Sequence, residues 1–295
     1  MKVGAFELNE PVPKLNKPHA LATIRPLIDV GNVGTLTLSR LESYLDSHDL
    51  GMLQRPGGFF DFTRYRPQIF LKEDHSELHV PNATVSYGER EEDHDFLFLN
   101  LLEPHTLAEE YIESILKLLT AFDVKRYCLI GAMHDMVPHT RPLIVSGRAS
   151  NLRLQSEMEA VGVMSSDYQG PTTILHKLSQ QAVDMGVETL SLIVHLPQYL
   201  IMEEDFRGVV RLMEILGTLY EFPLSEADAD KAKDQTDQVN KMAERLIQME
   251  PRYRHIRSQL EAHYDARVSQ RGGEPKLSPE VEKFLQDLGR RFDQN

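Results

Sequence analysis

Apolar residues fall along this chain in two alternating textures. Short, nearly continuous runs at Ala22–Val30, Phe96–Leu102, Tyr127–Ile130, Leu143–Val145 and Leu190–Val194 read as strands buried on both faces. Between them lie helical spacings: Leu38, Leu41 and Leu45; Ile112, Ile115, Leu116 and Leu119; a segment over Asn151–Ala160; Ile174, Leu175, Leu178, Ala182 and Met185; and a stretch from Glu203 to Tyr220. Strand followed by helix, repeated, predicts an α/β fold with a parallel or mixed central sheet between helical layers. Thr106 and Glu109 have capping-box spacing ahead of the second helix, Pro171 is placed to open the fourth, and Gly186 to stop it. From Leu50 to Tyr87 short apolar stretches alternate with turn signals, which predicts antiparallel strands or hairpins. The proline-interrupted first twenty residues read as an extended lead-in over the surface.

After Ser225 the texture changes. Strand patterns vanish, charged residues dominate, and Val239, Met242, Leu246 and Met249 form a helical stripe. Gly272-Gly273 interrupts it, and Val281, Phe284, Leu285 and Leu288 share one side of a last helix. The expected organisation is an α/β core over residues 1–224 with a C-terminal helical extension over 225–295. Apolar stripes of this kind need a partner surface, which points to a homo-oligomer.

Composition narrows the function classes. A net charge of -13 with no basic cluster argues against a nucleic-acid partner. Residues 226–295 hold 14 acidic and 13 basic side chains, so the negative charge belongs to the core. A single cysteine, Cys128, inside an apolar run reads as a buried, inert thiol in a reducing compartment. With no apolar segment of membrane-spanning length and no signal-peptide pattern, the expectation is a cytoplasmic protein without a membrane partner.

Candidate chemistry gathers at strand ends, where open α/β sheets bind ligands. Gly31 and Gly34, flanking Asn32, form a GxxG between a strand and a helix, able to cradle an anion or to serve as a tight turn. Gly131 reads as a turn that leads into His134, His139 and Arg141, and His195 and Tyr199 follow another strand. Such a group could combine proton transfer with an anion clamp, or its histidines could be bonded to the backbone. No metal motif is present, no cofactor is indicated, and Ser146-Gly147 lacks the glycine of a nucleophile elbow.

Three segments carry a resemblance: Asp29–Gly34; Tyr127–His134 with Arg141-Pro142 and Ser146-Gly147 downstream; and Gly170-Pro171 through Val194–Tyr199. Over about Ala22 to Tyr220 the chain resembles the bacterial branch of the proteasome assembly chaperone 2 family. The resemblance implies a three-layer α/β sandwich similar to the purine nucleoside phosphorylase fold. It also implies an oligomer, with trimers expected, that acts as a binding or scaffold protein without an established catalytic activity. Archaeal relatives that bind the proteasome end in a hydrophobic-tyrosine-any tripeptide, whereas this chain ends Asp293-Gln294-Asn295, which argues against insertion of the tail into a proteasome. The alternative implied by fold analogy is a small-molecule enzyme acting on an anionic or nucleoside-like ligand, as a phosphorylase-like transferase, a hydrolase or an ATP-dependent ligase.

Overall fold

The computed structural model describes residues 1–72, 75–91, 93–249 and 252–269. In chain order the elements are β1 (Lys2–Val3), β2 (Phe6–Leu8), β3 (His19–Arg25), α1 (Val33–Tyr44), β4 (His48–Leu53), β5 (Gln68–Leu71), β6 (Ser76–His79), β7 (Thr84–Gly88), β8 (Phe96–Leu102) and α2 (Ala108–Ala121). They continue with β9 (Arg126–Asp135), β10 (Val145–Gly147), α3 (Leu152–Ala160), β11 (Met164–Ser165), α4 (Leu175–Asp184), β12 (Glu188–Pro197), α5 (Phe206–Tyr220), α6 (Glu226–Met249) and α7 (Arg252–Ser269).

Ten strands make one mixed sheet in the order β1-β2-β4-β7-β8-β3-β9-β12-β10-β11. Its centre, β8, β3, β9 and β12, is parallel, while β7 and β10 flank it antiparallel. The central strands are largely apolar because each face has its own core. Ala22, Leu99, Tyr127 and Leu129 pack under α2 and α4, and Leu21, Phe98, Cys128 and Leu192 pack under α1, α3 and α5. This is the three-layer α/β sandwich with C-terminal helices read from the sequence.

Several local expectations change. The first strand ends at Arg25, because Pro26 has no amide to continue the ladder. The N-terminal segment is not a surface lead-in: β1 and β2 extend the sheet, with Phe6 fully buried. Thr106 and Glu109 form no capping box. The Thr106 hydroxyl donates to Gly58 O at 2.7 Å, Glu109 faces Lys177 on α4, and Leu107 starts α2 from the left-handed region at φ 51°. Helix α4 begins at Leu175, four residues beyond Pro171. Gly131 is not a turn, because β9 runs straight through it to Asp135; a Cβ there would lie 2.1 Å from Ile28 O, so glycine permits the close approach of a neighbouring backbone.

Helix α6 lies on the core through Val239, Ala243 and Ile247, spaced four residues apart. The stripe read from the sequence is therefore rotated: Val239 is buried, Leu246 is half-buried, and Met242 and Met249 are exposed. A bidentate pair between Arg40 of α1 and the buried Asp228 carboxylate, at 2.7 and 3.1 Å, anchors the start of α6. Gln235 then caps α5, accepting from Phe206 N and donating to Glu204 O. The helix expected around Val281–Leu288 lies outside the described residues.

Two outcomes follow from this packing. Burial pushes the Cys128 thiol far above its usual range, so a thiol reagent at neutral pH is expected to label it slowly in the native state and rapidly in urea; fast native labelling would contradict the packing. His19 stacks on His94 with ring centroids 3.8 Å apart, and burial, followed by the neighbouring His94 and Arg126, lowers its pKa to about 3. The unfolded chain binds that proton near pH 6.5 and the folded chain does not. Stability is therefore complete above pH 6.5 and declines as pH falls toward 3, with a slope below about 1.4 kcal/mol per pH unit for this proton. Urea titrations between pH 7 and 4 check the sign, and His19→Phe is expected to flatten the profile.

Candidate functional site

Because β3, β9 and β12 are parallel, their carboxyl ends share one sheet edge, and the segments that follow them are bonded to one another. Ala132 N donates to Ile28 O at 2.7 Å, Asp205 N to Gly31 O at 2.9 Å, and Gln198 N to Asp135 O at 3.2 Å. The nine residues singled out in the sequence reach this edge but divide among distinct environments.

Gly31 and Asn32 both occupy the left-handed region, at φ 62° and 51°, and Asn32 Nδ2 donates to Glu203 O at 3.0 Å. A Cβ at Gly34 would lie 2.2 Å from Thr23 Oγ1. The start of α1 already engages a carboxyl group of the chain's own: Asp29 accepts from Thr35 N at 3.0 Å and Thr35 Oγ1 at 2.5 Å. Burial raises the Asp29 pKa, and the Thr35 and Gly34 donors oppose that rise.

His139 and Tyr199 form a second group. The Tyr199 hydroxyl accepts from His139 N at 2.8 Å and shares a 2.7 Å bond with His139 Nδ1. Burial pushes the tyrosine up to about 12 and the imidazole down, the latter helped by Arg257 and Arg207. Arg141 is clamped by Asp265 of α7 through two 2.8 Å bonds, so its fork is turned toward the C-terminal extension. Helix α7 packs along the 136–144 segment. Ile256 and Leu260 pack on Met136 and Tyr199, Tyr264 packs on Val137 and Ile144, and its hydroxyl donates to Pro142 O at 2.9 Å.

The third group was not visible in the sequence. His195 is buried, with Nε2 2.7 Å from Ser146 Oγ and Nδ1 2.6 Å from Asp135 Oδ2. Asp135 also accepts from Met136 N at 2.7 Å and from Arg267 of α7 at 2.9 Å. Burial alone would raise its pKa; the His195 and Arg267 donors overcome that and hold the carboxyl well below the usual range. With Asp135 ionised, the 2.6 Å contact places a proton on His195 Nδ1, and in the neutral imidazole Nε2 then accepts from the Ser146 hydroxyl. The three side chains come from β9, β10 and β12, at positions the pleat turns to one face. On that face, between α4 and the strands, lies a cavity of about 730 Å³. Ser146, Met133, Ile193, Arg148 and His176 line it, and of the nine sequence candidates His134 does so. Among the described residues no group of three or more His, Cys, Asp or Glu is placed to hold a metal ion, and no helix is long and apolar enough to cross a membrane.

A three-layer α/β protein with a ten-stranded mixed sheet and an extension packed on the strand ends is thereby defined. The PAC2 family profile matches residues 23–243, and the chain belongs to that family. A search of curated proteins returned no match. Among solved structures, a protein of unknown function from Corynebacterium glutamicum is 18% identical, with a TM-score of 0.77 over 91% of this chain and 100% of that one. A PAC2 family protein from Streptomyces avermitilis is 22% identical, with a TM-score of 0.70 over 77% and 96%. A proteasome-assembly chaperone homologue from Mycobacterium tuberculosis is 18% identical, with a TM-score of 0.67 over 75% and 94%. At these identities the likeness is one of fold.

The Asp135–Arg267 contact ties the extension to the sheet. Arg267→Ala is expected to cost about 1–3 kcal/mol at pH 7, the scale of a hydrogen bond to a charged group. Because the folded Asp135 pKa is depressed, this contribution is present above the ordinary value of 3.8 and is lost as pH falls below it. Because the depressed pKa keeps the folded carboxylate charged at pH 3, urea titrations of parent and variant should show the gap only begin to narrow there and shrink further at still lower pH.

Proposed function

We propose that this protein is a cytoplasmic, self-associating scaffold of the PAC2 family that binds protein partners. The observation that carries the reading is the hairpin of β5 and β6, a two-stranded sheet separate from the main one. All four residues of β5 are exposed, and Ile69, Phe70, Leu71 and Leu78 present apolar side chains at 69, 46, 87 and 59% exposure. A lone two-stranded hairpin is marginal in water, and Ile69, Leu71 and Leu78, which the register sets on one face, together with open strand edges are the material of an interface. A second copy of this chain is the occupant favoured here, because strand edges and apolar side chains are self-complementary; a trimer is the expected assembly. The fold shared with a proteasome-assembly chaperone homologue supports a partner-binding role. The anion-binding enzyme reading is less well supported, because the amides at the start of α1 are engaged by Asp29 and the Arg141 fork by Asp265.

Light scattering at micromolar concentration should give a multiple of the 33.7 kDa subunit mass. Ile69→Asp with Leu71→Asp is expected to shift that mass to one subunit without unfolding, since both side chains are exposed within the protomer. A single-subunit mass for the parent protein would overturn the reading.

A further inference from the structure

The Ser146–His195–Asp135 chain is more than a buried polar link, because its open end is a hydroxyl at the wall of a cavity. In most buried hydrogen-bond chains the terminal group is satisfied by backbone or by another side chain. Here the terminal Ser146 Oγ lies 2.7 Å from His195 Nε2, to which it donates when the imidazole is neutral, and Ser146 is among the residues lining the 730 Å³ space. The order of roles is that of nucleophile, base and orienting carboxylate: 2.7 Å from Oγ to Nε2, then 2.6 Å from Nδ1 to Asp135. That constellation is defined by geometry and recurs in different chain orders on unrelated folds. The carboxylate is itself held by Met136 N and Arg267, so the imidazole is fixed from behind.

We propose that Ser146 is the nucleophile of an acyl-transfer site that hydrolyses small esters or thioesters. The Ser146 oxygen forms a bond to the acyl carbon while its proton passes to His195 Nε2. The carbonyl electron pair moves onto oxygen and returns to expel the alcohol or thiol, which takes the proton from Nε2. Water then enters by the same route: its oxygen bonds to the acyl carbon as its proton passes to Nε2, and the collapsing intermediate breaks the bond to Ser146 Oγ, which takes that proton back as the carboxylic acid leaves. The step needs no oxidant, metal or other co-reactant.

The cavity wall sets the substrate class. Leu129, Met133 and Ile193 offer an apolar surface to an acyl chain. Arg148, two residues beyond Ser146, is the one Lys or Arg among the residues described as lining the cavity, and no Asp or Glu is among them. One of its nitrogens donates to Tyr168 O at 2.8 Å, which orients the guanidinium and leaves other donors for a ligand. A neutral or singly anionic ester fits this lining, and a cationic one does not.

The test uses the full-length protein and a fluorophosphonate probe, which forms a covalent bond to an activated serine. Peptide mapping by mass spectrometry is expected to place the adduct on Ser146, and Ser146→Ala should abolish both the adduct and hydrolysis of p-nitrophenyl butyrate. His195→Gln is expected to slow labelling at least about 100-fold, the low end for loss of a general base. No adduct on Ser146 in the folded parent protein, or an adduct on another residue, would overturn the proposal even if a variant failed to fold. Labelling of Ser146 at an unchanged rate in folded His195→Gln would overturn the assigned base. Neither result bears on self-association, which is read from mass alone.

Discussion

One carboxylate holds the functional end of this molecule together. Asp135, at the last position of β9, accepts from the imidazole of β12, the guanidinium of α7 and the amide that begins the next loop. A buried carboxylate without donors is strongly disfavoured in its charged form, so these bonds are a condition of its being ionised there. Because they arrive from three separate segments, β9, β12 and α7 must all be in place for the charge to be tolerated. The C-terminal extension is therefore part of the edge of the sheet, through Arg267, through the Arg141–Asp265 fork and through the Tyr264 hydroxyl.

The strands and helices of the core were legible because each is written in a local period. Phe96–Leu102 is observed as read, and the helices around Ile112–Leu119 and Asn151–Ala160 differ only at their ends. Register was not legible. The pairing of Leu196 with His134 and of Pro197 with Asp135 is set by how the layers pack, and it is what brings His195 beside Asp135. Serine before glycine at the end of a short apolar run gave a strand signal but no elbow. The nucleophile-like position of Ser146 depends instead on β10 running antiparallel to β12, a nonlocal fact.

Gly31, Gly34 and Gly131 show the same boundary between local and nonlocal information. All three were read as turn or anion-cradle residues, and of these Gly31, at φ 62°, has a turn conformation. Gly34 and Gly131 are glycine because a Cβ would strike Thr23 or Ile28. At the start of α1 the donors meet a carboxyl group of the chain itself, Asp29, five residues before Gly34. A sequence pattern can mark a cradle without revealing that it is already occupied by a side chain of the same protein.

The strand order also separates the two surfaces that carry the functional readings. The β5–β6 hairpin is inserted between β4 and β7, on one half of the sheet, whereas Ser146, His195 and the cavity lie at β12 and β10 on the other half. Four strands, β7, β8, β3 and β9, stand between β4, which leads into the hairpin, and β12, so at about 4.8 Å per strand step β4 and β12 are more than about 20 Å apart across the sheet. A route from association to the strand ends runs through the extension. Helix α7 is the element placed to provide it, because it is held to the strand-end loop by polar contacts on one side and packs on α6 at its other end. A partner that pulled α7 away would remove the Arg267 donor from Asp135 and with it part of what keeps His195 oriented toward Ser146.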